Sequence, residues 1–249
     1  MSALVIANWK MNGGLPAIQR FADQWTAGSP ANLDDVRTVI CPPAPFMPAV
    51  ASAMPAMELG AQDCSANLPG AFTGEVSADM FAEVGCDWVI VGHSERRQYH
   101  GETSELVAEK ARRVIDAGMT AVVCVGESLT QREAGEHEAV VTAQVSESLE
   151  GVAAAAVVVA YEPVWAIGTG KTATPEQAND MHRVIRTELT RRYGDDADQI
   201  AVIYGGSVKP DNAAELFACD MIDGALVGGA SLEADSFMAI AQAASSGRT

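Results

Sequence analysis

The chain has 249 residues, 48% hydrophobic and 20% charged, with a formal net charge of −17. That acidity argues against nucleic acid or an anionic membrane surface as partner, and the longest apolar run, residues 152–161, falls well short of the ~20 needed to span a membrane. Five scattered cysteines (Cys41, Cys64, Cys86, Cys124, Cys219), odd in number and without a C-x-x-C pair, predict reduced thiols in a cytoplasmic protein rather than a disulfide framework or a zinc site. The N-terminal stretch lacks a basic segment and runs straight into a strand pattern, so no signal peptide is expected.

Short apolar runs recur along the chain at residues 4–9, 36–41, 59–62, 88–92, 121–126, 157–161, 201–205 and 224–228. Helical spacing fills the intervals. Residues 104–117 place Leu106, Val107, Ala111, Val114 and Ile115 on one face. Residues 174–192 open with Thr174 as N-cap, Pro175 at N1 and Gln177 at N3, a capping-box start. The strands are continuously apolar, as in a parallel sheet covered on both faces. Eight strand–helix units without a linker predict an α/β fold, a single-domain (β/α)8 barrel over residues 1–249. About 250 residues is the usual size of that fold. No G-x-G-x-x-G follows the first strand, which weakens a dinucleotide-binding open sheet.

In such a barrel, chemistry sits at the C-terminal strand ends. Asn8 and Lys10 follow the first strand, Gln62 the third, His93 and Glu95 the fourth, Glu127 the fifth, Glu162 the sixth, Ser207 the seventh and Gly228-Gly229 the eighth. Glu162, beside an apolar lid, is the candidate general base, and burial is expected to raise its pKa toward a useful range. His93 precedes a helix start capped by Ser94 or its neighbour, and the positive helix end favours a neutral imidazole that can act as an electrophile. The other histidines, His100, His137 and His182, read as structural. Lys10 lies two residues after Asn8, so the two can point the same way from an extended segment and stabilise an oxyanion. Lys10 as an imine-forming nucleophile is the rival use. A phosphate-sugar binder without catalysis is a third reading, but it needs neither Glu162, His93 nor Lys10. Three Gly-rich turns, Gly168-Thr169-Gly170, Gly205-Gly206-Ser207 and Gly228-Gly229, can expose backbone N–H groups to an anion. Gly170-Lys171-Thr172 imitates the end of a P-loop, but Trp165 stands where that motif needs glycine.

These residues lie in longer motifs: Asn8-Trp9-Lys10-Met11-Asn12, Gly70-Ala71-Phe72-Thr73-Gly74-Glu75, Gly92-His93-Ser94-Glu95-Arg96-Arg97, Tyr161-Glu162-Pro163-Val164-Trp165-Ala166-Ile167-Gly168-Thr169-Gly170, Tyr204-Gly205-Gly206-Ser207-Val208 and Leu226-Val227-Gly228-Gly229-Ala230. In kind and order they resemble the triosephosphate isomerase family across nearly the whole chain. The resemblance implies a TIM barrel that interconverts dihydroxyacetone phosphate and D-glyceraldehyde 3-phosphate without cofactor or metal, in glycolysis and gluconeogenesis. It implies Glu162 as proton acceptor and His93 as electrophile. Lys10 and Asn8 would bind substrate and stabilise charge, with Glu95 paired to Lys10. Gly168, Ser207, Gly228 and Gly229 would hold the phosphate beneath a lid of Pro163, Val164, Trp165, Ala166, Ile167, Gly168, Thr169, Gly170 and Lys171. Thr73 would contact a second subunit of a homodimer, although the neighbouring stretch from Asp63 to Pro69 departs from the family's common pattern.

Overall fold

A computed structural model describes residues 2–28, 33, 35–167 and 172–246. Its strands are β1 (Ala3–Asn8), β2 (Val36–Cys41), β3 (Glu58–Ala61), β4 (Trp88–Val91), β5 (Thr120–Val125), β6 (Val157–Tyr161), β7 (Ala201–Tyr204) and β8 (Gly224–Val227). They close into one parallel barrel in chain order, β8 pairing with β1. The predicted barrel is therefore the observed one, and each strand lies within one residue of its predicted ends.

The helices that cover the barrel are α1 (Leu15–Gly28), α2 (Met47–Ala53), α3 (Ala78–Glu83), α4 (Ser94–His100), α5 (Ser104–Asp116), α6 (Leu129–Glu133), α7 (His137–Ser148), α8 (Pro175–Tyr193), α9 (Ala213–Phe217) and α10 (Ala234–Ser246). On α5, Val107, Ala111 and Val114 are buried as the spacing predicts, while Leu106 and Ile115 flank them half-buried. The α8 capping box forms: the Thr174 hydroxyl accepts from the Gln177 amide, and the Gln177 side chain accepts from the Thr174 amide. None of the described helices is long and apolar enough to cross a membrane.

Period-two alternation splits each strand between two cores. Outward residues such as Val5, Val89, Val123 and Val159 pack under the helices. Inward residues, among them Leu4, Ile6, Val39, Ile90, Val122, Val158 and Ile203, fill the barrel with an apolar plug. Trp88 belongs to this plug at its N-terminal end. There the Arg37 guanidinium lies over the Trp88 ring at 4.7 Å, and Glu58 accepts from Arg37 Nε (2.9 Å) and Trp88 Nε1 (2.9 Å). The first residues of β3 and β4 thus form a polar floor with the second residue of β2. Burial works against the Glu58 carboxylate, but the Arg37 and Trp88 hydrogen bonds hold its pKa below the ordinary value.

His182 on α8 is fully buried between Tyr161 and Tyr204, with ring centroids 5.9 and 6.4 Å away. Its Nδ1 donates to the Met221 carbonyl (3.1 Å), and Nε2 has no hydrogen-bond partner among the described residues. Burial pulls its pKa from 6.5 down to about 4. The unfolded chain therefore takes up this proton first. The histidine's contribution to stability is complete above pH 6.5 and is lost as the pH falls toward 4. At ~1.4 kcal/mol per pH unit the loss comes to about 3 kcal/mol. Urea unfolding from pH 7 to 4 is expected to show this slope in the wild type and a slope shallower by that amount in His182→Phe. Equal slopes in the two proteins would refute the assignment.

Candidate active site

The inward period of the plug continues past its apolar layers. On β1, Leu4 and Ile6 are followed by Asn8; on β6, Val158 and Ala160 are followed by Glu162. The matching positions after β5, β7 and β8 are Gly126, Gly205 and Gly228. Two of these glycines are dictated by Glu162. A Cβ at position 205 would lie 2.9 Å from Glu162 Cγ, and one at 126 would lie 1.7 Å from the Glu162 carbonyl oxygen. The top layer of the barrel thus makes room for Glu162, at its backbone carbonyl and at its side chain. The cavity above it has a volume of about 920 Å³ and is lined by Asn8, Lys10, His93, Glu95, Glu162 and Ser207, among others.

Glu162 is 1% exposed and fully hydrogen-bonded. Its Oε2 accepts from the Ser94 amide (2.8 Å), and its Oε1 accepts from the Ser94 hydroxyl (3.1 Å) and lies 3.0 Å from His93 Nε2. Burial raises the pKa of this carboxyl, as the sequence predicts. Charge attraction from His93 and the hydrogen bonds from His93 and Ser94 outweigh it, so the net direction is down. The expected upward shift is therefore corrected: burial is real, but three donors meet the carboxylate where it rests.

His93 is itself the N-cap of α4. Its Nδ1 accepts from the Glu95 amide (3.2 Å), so the cap residue is Ser94's neighbour. A nitrogen that accepts cannot carry the proton, which assigns the proton of the neutral ring to Nε2, facing Glu162. Burial disfavours charge on His93, while Glu162 favours it strongly enough to lift the pKa, with Lys10 opposing. The lift belongs to the resting pair. Apart from Glu162, burial and Lys10 favour the neutral ring, while the Glu95 carboxylate opposes them.

Lys10 and Asn8 both line the cavity, but not from an extended segment. The strand ends at Asn8, and Lys10 has φ +50°, the one positive value for a non-glycine among the described residues. The Asn8 side chain accepts from the Lys10 amide (3.0 Å), and Lys10 Nζ pairs with Glu95 Oε1 at 2.6 Å. That ion pair lies at the cavity rim rather than in the apolar pocket that favours an imine-forming lysine.

Two groups have roles that the sequence did not indicate. Buried Glu127 accepts from Tyr161 OH (3.1 Å) and Trp165 Nε1 (2.8 Å) and pairs with Arg132 (2.9 Å), whose guanidinium covers the Trp165 ring at 5.1 Å. It anchors Pro163 to Ile167, the described part of the segment expected to be a lid, in which Val164–Ala166 form a 3-10 turn. Arg97 donates to the carbonyls of Gly92 (2.9 Å) and Cys124 (3.1 Å) and to the Ser148 hydroxyl (3.0 Å), strapping the ends of β4 and β5 beside His93. The signal for Glu127 was its strand-end position alone. Arg97 had none.

Ser207, Gly228 and Gly229 line the same cavity as Glu162. Gly168, Thr169, Gly170 and Lys171 lie outside the described residues. Thr73 is exposed on the β3–α3 loop and does not line the cavity. Lys110 is buried in ion pairs with Asp63 and Glu102. Cys124 is wholly buried, and burial followed by the charge of Glu162 pushes its thiol well above the ordinary value, unlike a reactive thiolate. Among the described residues no cluster of His, Cys, Asp and Glu is suited to hold a metal ion.

The chain was compared with known proteins. Residues 3–244 match the family model described as Triosephosphate isomerase. A protein of Cupriavidus taiwanensis named Triosephosphate isomerase is 51% identical over 245 residues, covering 96% of this chain and 98% of its own length. Proteins of the same name from Stenotrophomonas maltophilia and Xanthomonas euvesicatoria pv. vesicatoria are 52% and 51% identical, each alignment covering 97% of both chains. With that match end to end, this chain belongs to the triosephosphate isomerase family.

Proposed function

We infer that this chain interconverts dihydroxyacetone phosphate and D-glyceraldehyde 3-phosphate, the aldose–ketose step between the two triose phosphates of glycolysis and gluconeogenesis. The observation that carries the reading is Glu162 resting within hydrogen-bond reach of His93 at the floor of a cavity that also holds Lys10 and Asn8. A base, a neutral donor and a cation around one reacting centre suit proton transfer beside a carbonyl. The reaction moves hydrogen within one molecule, so it needs no external oxidant or reductant.

The proposed sequence starts with Glu162 leaving Ser94 for the substrate. There it keeps its burial and loses the donors that hold its pKa down, so it becomes the stronger base just where it is used. Ile167 and Leu226, which line the same cavity, supply the apolar surroundings. The carboxylate takes a proton from the carbon beside the carbonyl, leaving an enediolate, and returns it to the neighbouring carbon. His93 donates its Nε2 proton toward the carbonyl oxygen and shuttles protons between the two oxygens. Lys10 and Asn8 stabilise the negative charge, and Glu95 orients Lys10. Backbone N–H groups of Gly168, Ser207 and Gly229, beside Gly228, hold the phosphate while the lid from Pro163 to Lys171 covers it. Buried Tyr204, whose hydroxyl has no hydrogen-bond partner among the described residues, is a candidate anchor for the closed lid.

The working assembly is proposed to be a cytoplasmic homodimer. The β3–α3 loop exposes Leu68 and Phe72 beside Thr73, and Met11 and Tyr99 are exposed near the mouth, with Met11 at 96%. A cavity of about 550 Å³ beside that loop, lined by Asp63, Arg96 and His100 among others, has room for a partner's loop tip. Five free cysteines fit a reducing compartment.

In a coupled assay with glyceraldehyde 3-phosphate, Glu162→Gln is expected to lose ~10²-fold or more in kcat; near-normal turnover would remove Glu162 as the base. Carbon-13 NMR titration of the Glu162 carboxyl should give a higher midpoint in Ser94→Ala, since the lost hydroxyl favours the carboxylate. An unmoved midpoint would show that Ser94 does not set the resting state. Sedimentation should find the wild type dimeric and Thr73→Arg shifted toward monomer, and a monomeric wild type would end the dimer reading.

A further inference from the structure

Lys10 must hold a backbone conformation that side chains with a Cβ rarely adopt, φ +50°. Such a turn persists when its surroundings fix it from several sides. The Lys10 amide is fixed locally by Asn8 Oδ1 at 3.0 Å. Its carbonyl is fixed from two strands away, accepting from Gln62 Nε2 at 2.8 Å. The same Nε2 donates to the Cys41 carbonyl at 2.9 Å, and that carbonyl also accepts the Trp9 amide at 3.1 Å. Two carbonyl oxygens around one side-chain atom identify it as the nitrogen and use both of its hydrogens. Gln62 follows β3 at the spacing that continues Gly60 inward, so its side chain crosses the end of β2 to reach the exit of β1. Gln62 is not among the residues lining the catalytic cavity.

We propose that Gln62 is a positioning residue for Lys10. By holding the Lys10 carbonyl it keeps the chain turned, so that Nζ projects into the cavity beside Glu95 instead of following the strand direction. The proposal rests on the reading that Lys10 stabilises charge on the substrate. The plainer alternative is a tie between the ends of β1 and β2 that supports the fold and acts on no single residue.

A double-mutant cycle separates the two. Gln62→Met keeps the length and removes both donors. It is expected to lower kcat/KM for glyceraldehyde 3-phosphate roughly 10-fold or more while leaving the folded fraction intact. In a Lys10→Ala background the same change should cost less than about 2-fold, because the residue through which Gln62 acts is gone. Binding of inorganic phosphate, read by calorimetry, supplies the same cycle if turnover of the double variant is too slow. Gln62→Met with wild-type kcat/KM, or equal losses in both backgrounds, would overturn the proposal while leaving the role of Lys10 intact. Full activity in Lys10→Ala would instead overturn the reading of Lys10 on which the proposal stands.

Discussion

A carboxylate that is 1% exposed can exist in a folded protein only if its hydrogen bonds are complete. The pairing of Glu162 with Ser94 and His93 meets that requirement, and much of the site's architecture depends on it. The Ser94 amide is available because α4 starts there. α4 starts there because His93 caps it through Nδ1, and that cap fixes the tautomer that presents Nε2 to Glu162. Arg97 then holds the ends of β4 and β5 in place beside them. The groups that let the chain bury this carboxylate are also the ones proposed to assist it.

Burial alone would make the carboxylate more basic; the donors that it meets from Ser94 and His93 reverse that. The glycines at 126 and 205 leave room for Glu162, one against its backbone carbonyl and one against its side chain. The segment after Glu162, the stem of the proposed lid, is held separately, by Glu127 through Trp165 and Arg132. Glu127 contributes its backbone as well, since its carbonyl accepts the Val164 amide at 3.1 Å.

Most of the frame was legible in the sequence because it follows from short-range rules. Apolar runs of four to six residues gave the strands to within a residue, and the Thr174–Gln177 capping box fixed the start of α8. Strand-end logic brought Asn8, Lys10, His93, Glu95 and Glu162 to one mouth. What the sequence did not disclose depends on three-dimensional balance. The direction of the Glu162 pKa is a contest between burial and three donors, two of them 68 residues away on Ser94. The turned backbone of Lys10 is held by Gln62, 52 residues later. Arg97 has the look of a surface arginine, yet its partners come from four different segments.

The floor of the barrel carries its own implication. Arg37, Glu58 and Trp88 close the end opposite the mouth, and the apolar plug separates the two by on the order of 10–15 Å of strand. Substitutions that far apart usually act independently. Stability can therefore be tuned at the floor, while the proposed chemistry belongs to the mouth. Selection, or an engineer, can adjust the first without a tax on the second.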